Sequence, residues 1–172
     1  FTIASRVFGI TITQEPTPSV WHPDVRFFSV SSQDKIIGYF YLDLYARPNK
    51  RAGAWMDECQ IRRKKHNGEI QKPISYLICN FNPPNEKGIS LLNHDEVMTL
   101  FHEFGHNLQH LLTTVDVSDV SGINGIAWDA VELPSQMMEH WCWNEEALQL
   151  ISEHFQTGEK LPDDLFKKMS DS

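Results

Sequence analysis

Along the first half of the chain, apolar residues gather in short runs rich in β-branched and aromatic side chains, and turn formers separate the runs. That pattern predicts strands. They fall at Val7–Thr13, Val25–Val30, Ile36–Leu44, Gly53–Gln60 and Ile74–Phe81, with breaks at Pro16–Ser19, Ser31–Lys35, Arg47–Arg51 and Arg62–Lys72. Ile36–Leu44 is almost continuously apolar, whereas Asp57 and Glu58 interrupt Gly53–Gln60, so the former is expected to lie deeper. The breaks are too short for crossover helices, which favours an antiparallel or mixed sheet over a doubly wound parallel one.

From Asn93 onward the period changes. Val97, Met98, Phe101, Phe104, Leu108, Leu111 and Leu112 recur at three- and four-residue spacing, the apolar stripe of a helix from about Asp95 to Leu112. Asn93 followed by Glu96 makes a capping-box start, and Asp95 adds negative charge where the helix dipole favours it. Val115–Ala127, with Gly122 and Gly125, reads as an irregular loop. Helix signals resume near Asp129 and run through Met137–Trp143, Glu145–Phe155 and Pro162–Met169. The expected fold class is therefore α+β: a small antiparallel or mixed sheet in residues 1–92, then packed helices in 93–172.

Composition narrows the partners. In 172 residues, 41% are hydrophobic and 22% charged, enough for a real core. The formal net charge of −8 argues against sequence-independent binding to a phosphate backbone, so nucleic acid is not an expected partner. No apolar stretch approaches the ~20 residues that cross a bilayer, so no membrane association is expected. Cys59, Cys79 and Cys142 are far apart and form no C-x-x-C, which fits a reducing cytoplasm better than a disulfide framework. The basic run Arg62–Lys65 stands before Asn67-Gly68 and reads as a solvated hairpin tip. The chain opens on an apolar segment and stops at Lys168-Met169-Ser170-Asp171-Ser172, which reads as a piece of something larger.

The chemistry lies on the long helix, where His102-Glu103-Phe104-Gly105-His106 spells H-E-x-x-H. Residues four apart stand one turn above each other, so His102 and His106 can offer imidazole nitrogens to one ion. Glu103 is rotated by roughly 100°, close enough to face a water without being a ligand. This is the arrangement of a zinc hydrolase, in which two histidines, a third protein ligand and a water surround the metal. Glu132, in Trp128-Asp129-Ala130-Val131-Glu132-Leu133-Pro134, is the leading third ligand. If Asp129 caps the new helix, Glu132 falls at its third position and can point at the metal, while Asp129 caps or hydrogen-bonds a ligand histidine. Pro134 sits awkwardly with that start and allows a later one. Asp116 and Asp119 are rival donors of lower rank. His110, one turn beyond His106, is either a supporting group behind the ligands or part of the core. Gly105 costs ~1 kcal/mol in a helix interior relative to Ala, and so marks either the approach of another backbone or substrate, or close helix packing.

Taken together, Phe101–His106, Val120-Ser121-Gly122, Trp128–Gln136 and Glu139–Trp143 resemble the thimet-oligopeptidase family of zinc metallopeptidases. Upstream, Trp21–Val25, Phe40–Tyr45, Arg51–Met56 and Cys79–Asn82 are similar to the same family, so the resemblance covers nearly the whole chain. It implies a mostly helical zincin-like catalytic domain, one zinc on His102, His106 and Glu132, Glu103 as general base, and short peptides as substrates. It also implies substrate-binding tyrosine and histidine side chains beyond Ser172, and a large helical region ahead of the catalytic core. All four tyrosines here, Tyr39, Tyr41, Tyr45 and Tyr76, precede the H-E-x-x-H. The chain is thus expected to be a fragment of one catalytic domain whose partner is the remainder of the parent peptidase, inactive or weakly active alone. A zinc-binding or peptide-binding module without turnover is the competing reading.

Overall fold

A computed structural model describes residues 1–171. The first element departs from the sequence pattern. Thr2–Phe8 is a helix, α1, closed by Gly9 in the left-handed conformation (φ 64°), and the first strand, β1 (Thr11–Glu15), begins only after it. Val7 and Phe8 therefore belong to a helix and not to a Val7–Thr13 strand. The reason is tertiary: Ile3 and Ala4 are buried, and docking one apolar face outweighs a β-leaning local composition.

β1 pairs antiparallel with β2 (Arg26–Ser32), and β2 with β3 (Lys35–Tyr45). Gln33 and Asp34, both at positive φ (48° and 61°), form the tight turn joining β2 to β3, the geometry that matches strand twist in a two-residue hairpin. β4 (Trp55–Gln60) runs out to an edge. Beyond it, β5 (Arg63–Lys64) and β6 (Ile70–Gln71) make a small separate hairpin whose tip, Lys65–Gly68, is exposed, as expected for the basic run. β7 (Ile74–Phe81) then inserts between β3, to which it is parallel, and β4, to which it is antiparallel. The order β1-β2-β3-β7-β4 makes the sheet mixed, and the whole is α+β.

Period-two alternation divides the sheet's faces. Val30, Phe40, Leu77 and Cys79 are fully enclosed beneath α2 (His94–Leu111), which contributes Phe104, Leu108 and Leu111. The capping box forms as the sequence indicates: the Asn93 side chain accepts from Glu96 N–H, and the Glu96 carboxylate accepts from Asn93 N–H, both at 2.9 Å. On the opposite face, Trp21, Phe27, Tyr39, Tyr41 and Tyr76 form a run of ring contacts. Asp43 is buried near this face and receives Arg47 through two 2.7 Å hydrogen bonds, Lys50 at 2.8 Å and Trp21 Nε1 at 2.9 Å. Burial alone would raise its pKa, but these donors outweigh it and hold the carboxyl at about 2.

After α2 the chain passes through the predicted loop, which contains one 3₁₀ turn at Ser118–Val120. It then forms α3 (Leu133–Glu139), a 3₁₀ turn at His140–Trp143, α4 (Glu145–Ile151) and α5 (Asp163–Ser170). α4 stops at Ile151, short of the Glu145–Phe155 span that its pattern suggests; Phe155 lies half exposed in a turn. All three cysteines are unpaired, and among the described residues no helix is long and apolar enough to cross a membrane.

Candidate metal centre

α2 presents His102 and His106 one turn apart with ring centroids 4.9 Å from each other. Glu132 meets them from the start of α3. Its Oε2 lies 3.2 Å from His102 Nε2 and 3.1 Å from His106 Nε2. Zinc–ligand bonds of about 2.0–2.2 Å in a tetrahedron place neighbouring donor atoms about 3.3–3.6 Å apart, so these spacings are slightly shorter than the edges of a metal polyhedron. Among the described residues this is the one group of three such side chains whose donor atoms all lie within 4.8 Å of one another. Two imidazoles and a carboxylate are a donor set that could hold a divalent metal ion; zinc sites with three such ligands characteristically keep a fourth position for water or substrate. Asp116 and Asp119 are not brought to it. Asp116 instead pairs with Arg62 at 2.8 Å, and Asp119 lies exposed in the 3₁₀ turn.

Glu132 reaches this place differently from the capping scheme built on Asp129. The residue flanking α3 is Glu132 itself, and Pro134 occupies the first turn, where its missing N–H costs nothing. Asp129 is exposed in the preceding turns. Ser135, one turn along, donates its hydroxyl to Glu132 Oε2 at 2.7 Å and to the Glu132 carbonyl at 2.9 Å, fixing the carboxylate's direction. That hydroxyl, together with the two histidines, holds the Glu132 carboxyl below its ordinary pKa despite some burial. Gly105 explains how two helices come this close. A Cβ there would lie 2.6 Å from Ser135 Cα and would collide with the Pro134 carbonyl oxygen. The glycine thus admits another backbone, and that backbone belongs to the helix packed against it.

Glu103 is only 9% exposed, against the sheet edge. Burial pushes its carboxyl pKa up; His102 and a hydrogen bond from the Met56 N–H oppose the rise, Glu132 adds to it, and the balance is upward. His106 is driven down, chiefly by burial and against the pull of Glu132, toward the neutral form that can ligate a metal. His110 is fully buried and turns to the sheet, where its Nε2 donates to the Gln60 carbonyl at 3.0 Å at the end of β4. The group that touches a site histidine from behind is one that spacing had not singled out: Glu139 Oε1 is 2.5 Å from His102 Nδ1. Its sequence signals are its place seven residues, two helical turns, after Glu132 and its position at the head of the Glu139–Trp143 run.

The family model for Peptidase family M3 matches residues 1–172. The chain belongs to peptidase family M3. Its M3 relatives include oligopeptidase A of Escherichia coli, 55% identical over 170 residues, and oligopeptidase A of Haemophilus influenzae, 56% identical over 163. These alignments cover 98% and 94% of this chain but only 25% and 24% of the relatives. The dipeptidyl carboxypeptidase of Salmonella typhimurium is 37% identical over 170 residues, 98% of this chain and 24% of its own length. This M3 chain thus spans about a quarter of the length of the relatives it matches.

Proposed function

We propose that these residues form the zinc-binding part of a metallo-endopeptidase, an oligopeptidase that hydrolyses short peptides in the cytoplasm. The observation that carries this reading is the convergence of both His Nε2 atoms on one Glu132 oxygen at 3.1 and 3.2 Å, with a buried Glu103 beside them. His102, His106 and Glu132 would hold one zinc ion, and their chemistry fits it. When bound, zinc supplies Lewis acidity, which makes a water nucleophilic at neutral pH and polarises a carbonyl.

Within that frame the protein's own groups divide the work. Glu103 takes a proton from the attacking water and delivers it to the leaving amine, and its upward pKa shift suits a group that must both accept and release. The Met56 backbone of β4 lies beside that carboxylate and favours its charged form. β4 pairs with β7 along one side and lies at the outside of the sheet order, so a substrate backbone can add to its other side as an extra strand. Donors for the developing oxyanion are expected from the rest of a longer polypeptide, since Tyr39, Tyr41 and Tyr76 are engaged in the ring contacts on the far face of the sheet. Residues 1–172 accordingly form part of one catalytic domain, and the remaining chain is its necessary partner. The three unpaired cysteines support the cytoplasmic location.

Glu103→Gln in the full-length protein tests the chemical assignment. Zinc content should be unchanged, and kcat on a short peptide should fall by roughly 10²–10⁴. Hydrolysis persisting at the parent rate would remove Glu103 from the role of base. A parent that binds zinc yet cleaves no peptide would favour a binding module without turnover.

A further inference from the structure

We infer that Glu139 is a positioning residue for the metal centre: it fixes the tautomer and ring orientation of His102 and so sets how tightly the metal is held. The inference rests on the reading of His102 as a ligand and adds the device that presents it.

An ionised carboxylate can only accept hydrogen bonds. Glu139 Oε1 at 2.5 Å from Nδ1 therefore accepts the Nδ1–H of His102 and turns Nε2 toward Glu132 Oε2, 3.2 Å away, the side on which a metal would sit. The opposite tautomer would put a proton where the metal must sit and set two acceptors against each other at Nδ1. The contact is also shielded, with the His102 side chain 28% and the Glu139 side chain 35% exposed, so solvent competes for it only in part.

The placement of Glu139 is a property of one helix. Glu132 flanks α3, Ser135 stands in its first turn and Glu139 is its last residue. Spaced three and seven residues from Glu132, they lie along one side of α3. That side supplies a donor atom, the hydroxyl that aims it and the carboxylate that aims a donor on the neighbouring helix. Gly105 lets α3 come near enough for all three to reach. The arrangement is asymmetric: among the described residues no carboxylate contacts His106 Nδ1, and Glu132 meets His106 at Nε2. Removing Glu139 should therefore act through His102.

The test uses the full-length protein, stripped of metal, with zinc affinity measured by competition against a chromophoric chelator and the His102 ring nitrogens read by ¹⁵N NMR. In the parent, His102 should carry its proton on Nδ1. Glu139→Ala should weaken zinc binding by about 10–100-fold and leave His102 a mixture of tautomers. Glu139→Gln, which keeps the shape and a weaker acceptor, should fall between. Gln136→Ala, an exposed change on the same helix, should match the parent in both readouts. If the parent binds zinc and Glu139→Ala retains both its affinity and its single tautomer, Glu139 has no positioning role and the metal assignment stands. If the parent binds no zinc, the metal reading itself fails and takes this inference with it. Should Glu139→Ala not fold, the Gln variant carries the same decision, since unchanged affinity and tautomer there overturn the inference equally.

Discussion

Val30, Phe40 and Leu77 in the strand-rich part are completely enclosed, whereas in the helical part Trp128 is 93% exposed, Leu133 71% and Trp143 44%. The sheet closes its own core against α2; the helices after α2 do not. Yet the candidate metal centre sits where closure is weakest, with Glu132 just ahead of the seven-residue α3 and Glu139 at its end. α2 belongs to both regions. Its Phe104, Leu108 and Leu111 anchor it in the closed core, and His102 and His106 face the open side. Two of the proposed donors are thus borne by a rigid element, and the third stands at the start of a short helix that depends on a close backbone contact at Gly105. Precision in the histidine pair is inherited from the core, and precision in Glu132 rests on local devices, namely Ser135 and Gly105.

This contrast can be broken most forcefully from the core side. Phe40→Ala removes a fully buried ring that packs against Phe28 and Phe104, and should cost about 3–5 kcal/mol in urea unfolding. A loss below 1 kcal/mol would mean that the sheet is not the anchor of α2.

Acid tests the sheet's other face. The folded pKa of Asp43 is lowered to about 2 from an ordinary 3.8, so its contribution is fully present above about pH 4 and disappears as pH falls toward 2. About 2 kcal/mol of stability should be lost across that window, and Asp43→Asn, already destabilised at neutral pH, should show a flatter acid profile between pH 4 and 2.

The smallest expected change is Gly105→Ala. Helix propensity gains ~1 kcal/mol, but the added Cβ meets Pro134 and Ser135 backbone atoms that cannot rotate away, and overpacking of that kind costs about 1–3 kcal/mol. Stability should change little or fall by up to about 2 kcal/mol, while zinc affinity drops because Glu132 is displaced. Unchanged affinity would separate the α2–α3 contact from the site.

Much of this architecture is legible in the residues because it depends on local rules. The capping pair Asn93 and Glu96, the α2 stripe, four of the five strands and the hairpin at Arg62–Lys65 follow from spacing and turn chemistry. What the residues conceal is set by partners distant in the chain. Thr2–Phe8 is helical because Ile3 and Ala4 find a core elsewhere, and β7 lies between β3 and β4 because its apolar side chains fill both faces there. At the site, His102, Glu103 and His106 are readable because one helix turn relates them. Glu132 is readable only as a type of donor, since its cap position follows from Pro134 and the packing at Gly105. Glu139 is 37 residues from His102, and no local rule joins them.

His102, His106 and Glu132 are proposed to come together to hold one metal ion. Calorimetric titration of zinc into the metal-free full-length protein and its Glu132→Ala variant tests it most directly. The parent should bind one zinc per chain, and the variant should lose much of that affinity. No binding by the parent, or binding unaffected by the loss of Glu132, would contradict it.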